Sequence, residues 1–215
     1  MPAGDDAEQR AAAATRIRAL SHALMGHRVP ASVFARIIGL VDDLMPEIEA
    51  SPETDPALPL FSDPELRKAI EARGFAALVD AGLDPLFGHT IVSGPVNPMG
   101  IAARFERDGD EIVTHVVLGR AFEGAPGRAH GGIVAAILDE TLGAAAALHG
   151  FLAYTVELTV GYLRPTPIGV PVEFRAHLAA REGRRLHVVG QGRRGDEVLT
   201  EARGIFVRAR SSDLP

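Results

Sequence analysis

The hydrophobic pattern changes its period near residue 90. Before that point apolar residues recur at helical spacing. Ala13, Ile17, Leu20 and Leu24 fall at i, i+4, i+7 and i+11, which predicts a helix over 6–25 with Gly26 as its stop. Phe34, Ile37, Ile38, Val41, Leu44 and Ile48 form a second stripe and predict a helix over 31–49. Pro30 sits near its first turn, and Pro46 is expected to kink or end it. The proline-rich stretch 51–64 reads as a linker, and Asp63-Pro64-Glu65 as the start of a third helix over 64–73.

After residue 90 the period shortens to two. Strands are expected at 100–107 and 111–119, around the turn Asp108-Gly109-Asp110. A very apolar helix follows at 131–148, then strands at 153–164, 169–180, 184–192 and 197–209. Val156, Leu158, Val160 and Tyr162 alternate with Thr155, Glu157, Thr159 and Gly161. Val172, Phe174, Ala176 and Leu178 alternate with Glu173, Arg175 and His177. Such alternation marks antiparallel strands with one buried face. The implied class is α+β, an antiparallel sheet wrapped around one central helix, with an N-terminal helical extension. The expected division is an extension at 1–90, a sheet domain at 91–210 and a tail at 211–215.

The apolar helix contains two adjacent acids, Asp139 and Glu140. A carboxylate in a buried helix must find partners or lose its charge. On sequence alone the pair fits either an exposed edge of the helix or a working site. At the helix start, His130-Gly131-Gly132 places side-chain-free residues where backbone N–H groups lack acceptors. The positive end of the helix dipole lies there too, which suits a developing oxyanion. Gly131 and Asp139 are eight residues apart, roughly 12 Å along a helix. One reacting carbon cannot touch both within one chain. If the two cooperate, they come from different subunits across a two-fold axis.

Charge narrows the partners. The chain is at net −6, and residues 1–90 carry all of that excess. The extension is therefore not a basic nucleic-acid-binding arm. The apolar run 133–152 is broken by Asp139, Glu140 and His149, so no membrane span is expected. The chain has no cysteine, which excludes disulfides, thiolate metal sites and a Cys nucleophile. With an acidic, polar N-terminus, MPAGDDAEQR, this suits a cytoplasmic protein. The eight histidines show no metal-ligand spacing; His177 and His187, on neighbouring strands, are expected to face each other.

The stretch FEGAPGRAHGGIVAAILDE, 122–140, resembles the signature of hot-dog-fold acyl-CoA thioesterases of the phenylacetate-degradation type. The similarity continues into YTVELTVGYLRPTPIG, 154–169. It implies a homodimer or dimer of dimers with a continuous sheet, hydrolysing a CoA or carrier-protein thioester without a separate cofactor. Asp139 matches the family's catalytic carboxylate, as general base or nucleophile. Gly131 matches the glycine whose N–H polarises the thioester carbonyl, with Gly132 beside it. His130 matches the motif histidine. Thr155 matches a Ser or Thr that helps hold the water or the acid. Glu140 is grouped with the substrate contacts. Where some members carry Asn or Gln, six residues before the histidine, this chain has Gly124; Asn97 is the candidate replacement. Arg164 is the candidate for the substrate phosphates, whereas most of the turn arginines serve solubility. Phe87, Met99, Phe122 and Phe151 are candidates for an acyl pocket or for core. A non-catalytic module that binds or senses acyl-CoA is the alternative. A dehydratase fits less well, because His130 lies too far from Asp139 in one chain.

Overall fold

The computed structural model describes residues 3–53, 88–150 and 152–208, together with positions 68 and 72. The expected third helix at 64–73, most of the linker, the tail, Phe87 and Phe151 lie outside the described residues or largely so.

The first helix, α1 (Ala3–Gly26), and the second, α2 (Ala31–Glu49), form where the stripes predict them. Pro46, expected to kink or end α2, stands three residues before the helix stops at Glu49. It falls in the last turn, and the Ala50 N–H closes on its carbonyl at 3.1 Å. A missing N–H costs least where few bonds remain to be made.

The domain proper runs β1 (Arg104–Asp108), β2 (Glu111–Val117), a 3-10 turn (Arg120–Phe122) and a small hairpin of β3 (Glu123–Ala125) and β4 (Arg128–Ala129). Then come α3 (Gly131–Leu148), β5 (Ala153–Tyr162), β6 (Pro171–Glu182), β7 (Arg185–Arg194) and β8 (Glu197–Arg208). Six strands form one antiparallel sheet in the order β1-β2-β6-β7-β8-β5. The sheet begins later than expected. Residues 100–103 instead bond back to the preceding loop, with the Ile101 N–H on the Ile91 carbonyl and the Ala103 N–H on that of Val92, both at 2.8 Å.

The sheet packs around α3. Ile137, Leu138 and Leu142 of the helix are wholly buried, against Phe174, Leu186 and Phe206 of the strands. Close approach needs missing side chains on the strand side. A Cβ on Gly190 would sit 2.8 Å from the Leu142 side chain and 2.7 Å from the Arg175 carbonyl. Gly204 makes the same allowance for Leu142, at 2.9 Å. One buried polar pair crosses the layers: the Thr114 and Thr141 hydroxyls lie 2.7 Å apart, and Thr141 also donates to the Ile137 carbonyl. Among the described residues α3 is the one helix long and apolar enough to cross a membrane, but this burial makes it the domain's core.

The extension joins the domain through α1. The Arg18 guanidinium donates to the Pro95 and Asn97 carbonyls, at 3.2 and 2.7 Å. The His22 Nδ1 accepts the Ala121 N–H at 3.0 Å, and its ring meets Phe122 edge-on. Gly119 makes room for that imidazole, which lies 2.5 Å from where a Cβ would be. By contrast, α2 has no buried residue, and Phe34, Ile38, Val41, Leu44 and Ile48 are exposed among the described residues.

Candidate active site

The start of α3 is fixed by its own cap. His130 is the N-cap, with φ −64° and ψ 134°, and its Nδ1 accepts the Gly132 N–H at 3.0 Å. That bond requires Nδ1 unprotonated, so the neutral ring carries its proton on Nε2. The His130 carbonyl accepts from Ile133 and Val134. The His130 N–H is itself bound to the Phe122 carbonyl at 2.8 Å, which ties the helix start to the 3-10 turn. The N–H of Gly131 has no acceptor among the described residues, as the first helical position dictates.

A cavity of about 430 Å³ opens at this end. His130, Gly131, Val134 and Tyr162 line it, with Arg128 and Arg164 at its edge. The Arg164 Nε lies 3.3 Å from the Glu197 carboxylate, and its side chain is well exposed. The approach to the helix is held by the β3–β4 hairpin. Glu123 accepts the Gly127 N–H and pairs with Arg120 at 3.0 Å. These bonds, the backbone N–H first, hold its carboxyl below the usual range.

Asp139 lies two turns further along, half-buried. Its Oδ1 accepts the Thr155 hydroxyl at 2.9 Å. Strict alternation would put Thr155 on the outer face with Glu157 and Thr159, and the structure corrects that reading. Thr155 pairs with Phe206 and Glu157 with Ile205, leaving Val156 as a bulge. One extra residue reverses the parity of the strand. Thr155 therefore joins Leu158, Val160 and Tyr162 on the side facing α3.

Other predicted residues have different occupations. Glu140 contacts the loop before β1: its Oε1 accepts from the Thr90 hydroxyl at 2.8 Å, the Ser93 N–H at 3.0 Å and the Ser93 hydroxyl at 2.5 Å. It anchors that loop and does not line the cavity. Asn97 closes its own turn, donating to the His89 and Thr90 carbonyls and accepting the Met99 N–H. Phe122 packs on His22, and Met99 is 76% exposed. His177 and His187 do not face each other. A bulge between Leu178 and Ala180 sets His177 opposite Val189 and His187 opposite Ala180. Their nearest charges are Glu111 for His177, at 3.3 Å, and Glu182 for His187, at 3.5 Å. The turn arginines Arg181 and Arg193 bond to carbonyls of their own turns. No group of His, Asp and Glu able to hold a metal occurs among the described residues.

Residues 126–201, from the hairpin through most of the sheet, match the thioesterase superfamily. The chain resembles that superfamily over about a third of its length. Its sheet around a buried helix is the hot-dog fold. A solved structure, protein RHA08564, a thioesterase superfamily protein, superposes with a TM-score of 0.73 at 24% identity, over 92% of this chain and 94% of that one. The chain is 36% identical over 92 residues to the acyl-coenzyme A thioesterase THEM4 of Xenopus laevis, 42% of this chain and 41% of the relative. To the acyl-coenzyme A thioesterase THEM5 of Mus musculus it is 32% identical over 92 residues, 37% of that relative. The match thus spans about two-fifths of the length of these curated relatives.

Two residues, one at the site and one beside it, escaped the sequence reading. Tyr162 was legible only as a buried strand position, yet its hydroxyl donates to the Gly131 carbonyl at 2.8 Å. His22 lies 99 residues from its partner Ala121, and nothing local in the sequence signals that pairing.

Proposed function

We propose that the chain hydrolyses an acyl thioester of CoA or of a carrier protein, at a site built from two subunits. Water attacks the thioester carbonyl carbon. Asp139 of one subunit takes its proton, or attacks first itself, and the Gly131 N–H of the other donates to the developing oxyanion. The C–S bond then breaks and the thiolate leaves, taking up the proton; the free acid remains, directly in the water route or after water has hydrolysed the acyl–Asp139 anhydride in the other. Thr155 holds the carboxylate, and Arg164 is offered to the substrate's phosphates. No cofactor takes part, because CoA belongs to the substrate.

The observation that carries this reading is the unspent Gly131 N–H beside a cavity that Asp139 of the same chain does not line. Roughly 12 Å of helix separates the two, so the acid for each cavity comes from a second copy. The edge strand β5 supports that assembly. It pairs only with β8 among the described residues, and Tyr154, Val156, Tyr162 and Leu163 are more than half exposed along it. A long, apolar, unpaired edge invites a partner. Joining two such edges would give a homodimer with one continuous sheet, or a dimer of dimers. The similarity to two named acyl-coenzyme A thioesterases supports acyl-CoA as the substrate class.

Thiol release from short, medium, long and aromatic acyl-CoAs tests the reading, with wild type beside Asp139→Asn. Turnover in the wild type that falls at least 10²-fold in the variant is expected, the usual scale for a lost general base. Tight acyl-CoA binding in both proteins with no turnover in either would replace hydrolysis by the sensing role.

A further inference from the structure

The surroundings of the Gly131 N–H point to a residue with a part in the reaction that the sequence motif does not contain. Two consecutive peptide units meet there. In the first, the His130 carbonyl accepts from the Ile133 and Val134 N–H groups at 3.0 and 3.2 Å. The second, between Gly131 and Gly132, is bound at both ends. Its N–H donates to the His130 Nδ1 at 3.0 Å, and its carbonyl accepts the Tyr162 hydroxyl at 2.8 Å. The donor left over is the N–H of Gly131. The Tyr162 ring also stands beside this residue, 3.4 Å from where a Gly131 Cβ would lie. Tyr162 reaches this point because it alternates in step with Leu158 and Val160 on the helix-facing side of β5.

We propose that Tyr162 is a positioning residue: its phenol clamps the Gly131–Gly132 peptide and so keeps the Gly131 N–H aimed into the cavity. This rests on the oxyanion role given to Gly131 above. A donor is most effective when it is aimed before charge develops. Two glycines in sequence have the loosest backbone available, so the aim has to be supplied from outside. His130 supplies it at the N–H end and Tyr162 at the carbonyl end. A carbonyl cannot donate, so the phenol spends its one proton on Gly131 and offers the cavity only its lone pairs.

The test is Tyr162→Phe, which keeps the ring and deletes the donor. Two measurements are made: steady-state acyl-CoA hydrolysis, and amide hydrogen exchange at Gly132 by NMR. The expected result is a roughly 10-fold lower kcat with KM within about 2-fold, a fraction of the 10²–10³ lost with an oxyanion donor itself. Gly132 exchange should quicken in the variant, because the same peptide has lost its carbonyl-end restraint. Unchanged exchange, or a raised KM with kcat intact, would overturn the clamp and leave Tyr162 as a cavity wall. A wild type without turnover would sink the hydrolytic reading instead. The exchange comparison would then still decide whether Tyr162 holds the peptide.

Discussion

Asp139 and Gly131 stand on one helix, but each depends on residues that arrive from elsewhere. The Thr155 hydroxyl donates to Asp139, and a hydrogen bond to a charged group is worth about 1.5–3 kcal/mol. Thr155→Val keeps the branched shape and deletes the donor, so kcat/KM should fall roughly 10-fold with little change in Tm. Gly131 permits a more surgical substitution. It is the first helical residue, where proline is favoured, and His130 at φ −64°, ψ 134° already has the backbone that a residue before proline prefers. Gly131→Pro therefore removes the N–H while leaving the helix start intact. Activity should drop about 10²–10³-fold at near-normal Tm. The motif residues were legible because their spacing lies along a single helix. Glu140 and Asn97 were not, because their partners sit in the loop at 88–97 and only folding brings that loop to them.

Among the elements, α3 was the easiest to foresee and β5 the hardest. A helix apolar on nearly every side must be buried, and its bounds came out as predicted. Its seat depends on Gly190. Gly190→Ala pushes a methyl against both the Arg175 carbonyl and Leu142, and should cost about 1–3 kcal/mol, read as a lowered Tm. In β5 the pattern of alternation held in sequence but not in space, because a bulge carries no sequence mark here. Deleting Val156 would remove the extra residue and leave Thr155 opposite Phe206, on the helix side with Leu158, so the Asp139 contact and hydrolysis should be retained. At the other end of the domain, α1 docks through a neutral imidazole. Partial burial pulls the His22 pKa below its usual value. Protons therefore bind more readily when α1 is detached, and the docking contribution is present above about pH 6.5 and lost as pH falls through the lowered value. Amide exchange in α1, corrected for intrinsic rates, should quicken on acidification. In His22→Ala it should be fast at every pH.

At the scale of the whole molecule, one exposed edge and one unmet distance point to the same assembly. The sheet ends at β1 on one side and β5 on the other, and β5 is the longer and more apolar edge. Its neighbour across the helix face is Asp139, whereas the cavity that needs an acid lies at the far end of α3. A two-fold axis through β5 meets both needs. Sequence spacing alone called for two subunits, whereas the proposal of β5 as the joining edge rests on the strand order. The most direct measurement is complementation between two inactive proteins. Asp139→Asn retains the oxyanion donor, and Gly131→Pro retains the acid. Co-refolded in equal amounts, they form mixed dimers in which one of the two sites draws both intact groups. Activity should return to about a quarter of wild type, the fraction expected from random pairing across a two-fold interface. A mixture no more active than its components would contradict the shared site, and with it the account of how this fold works on a thioester.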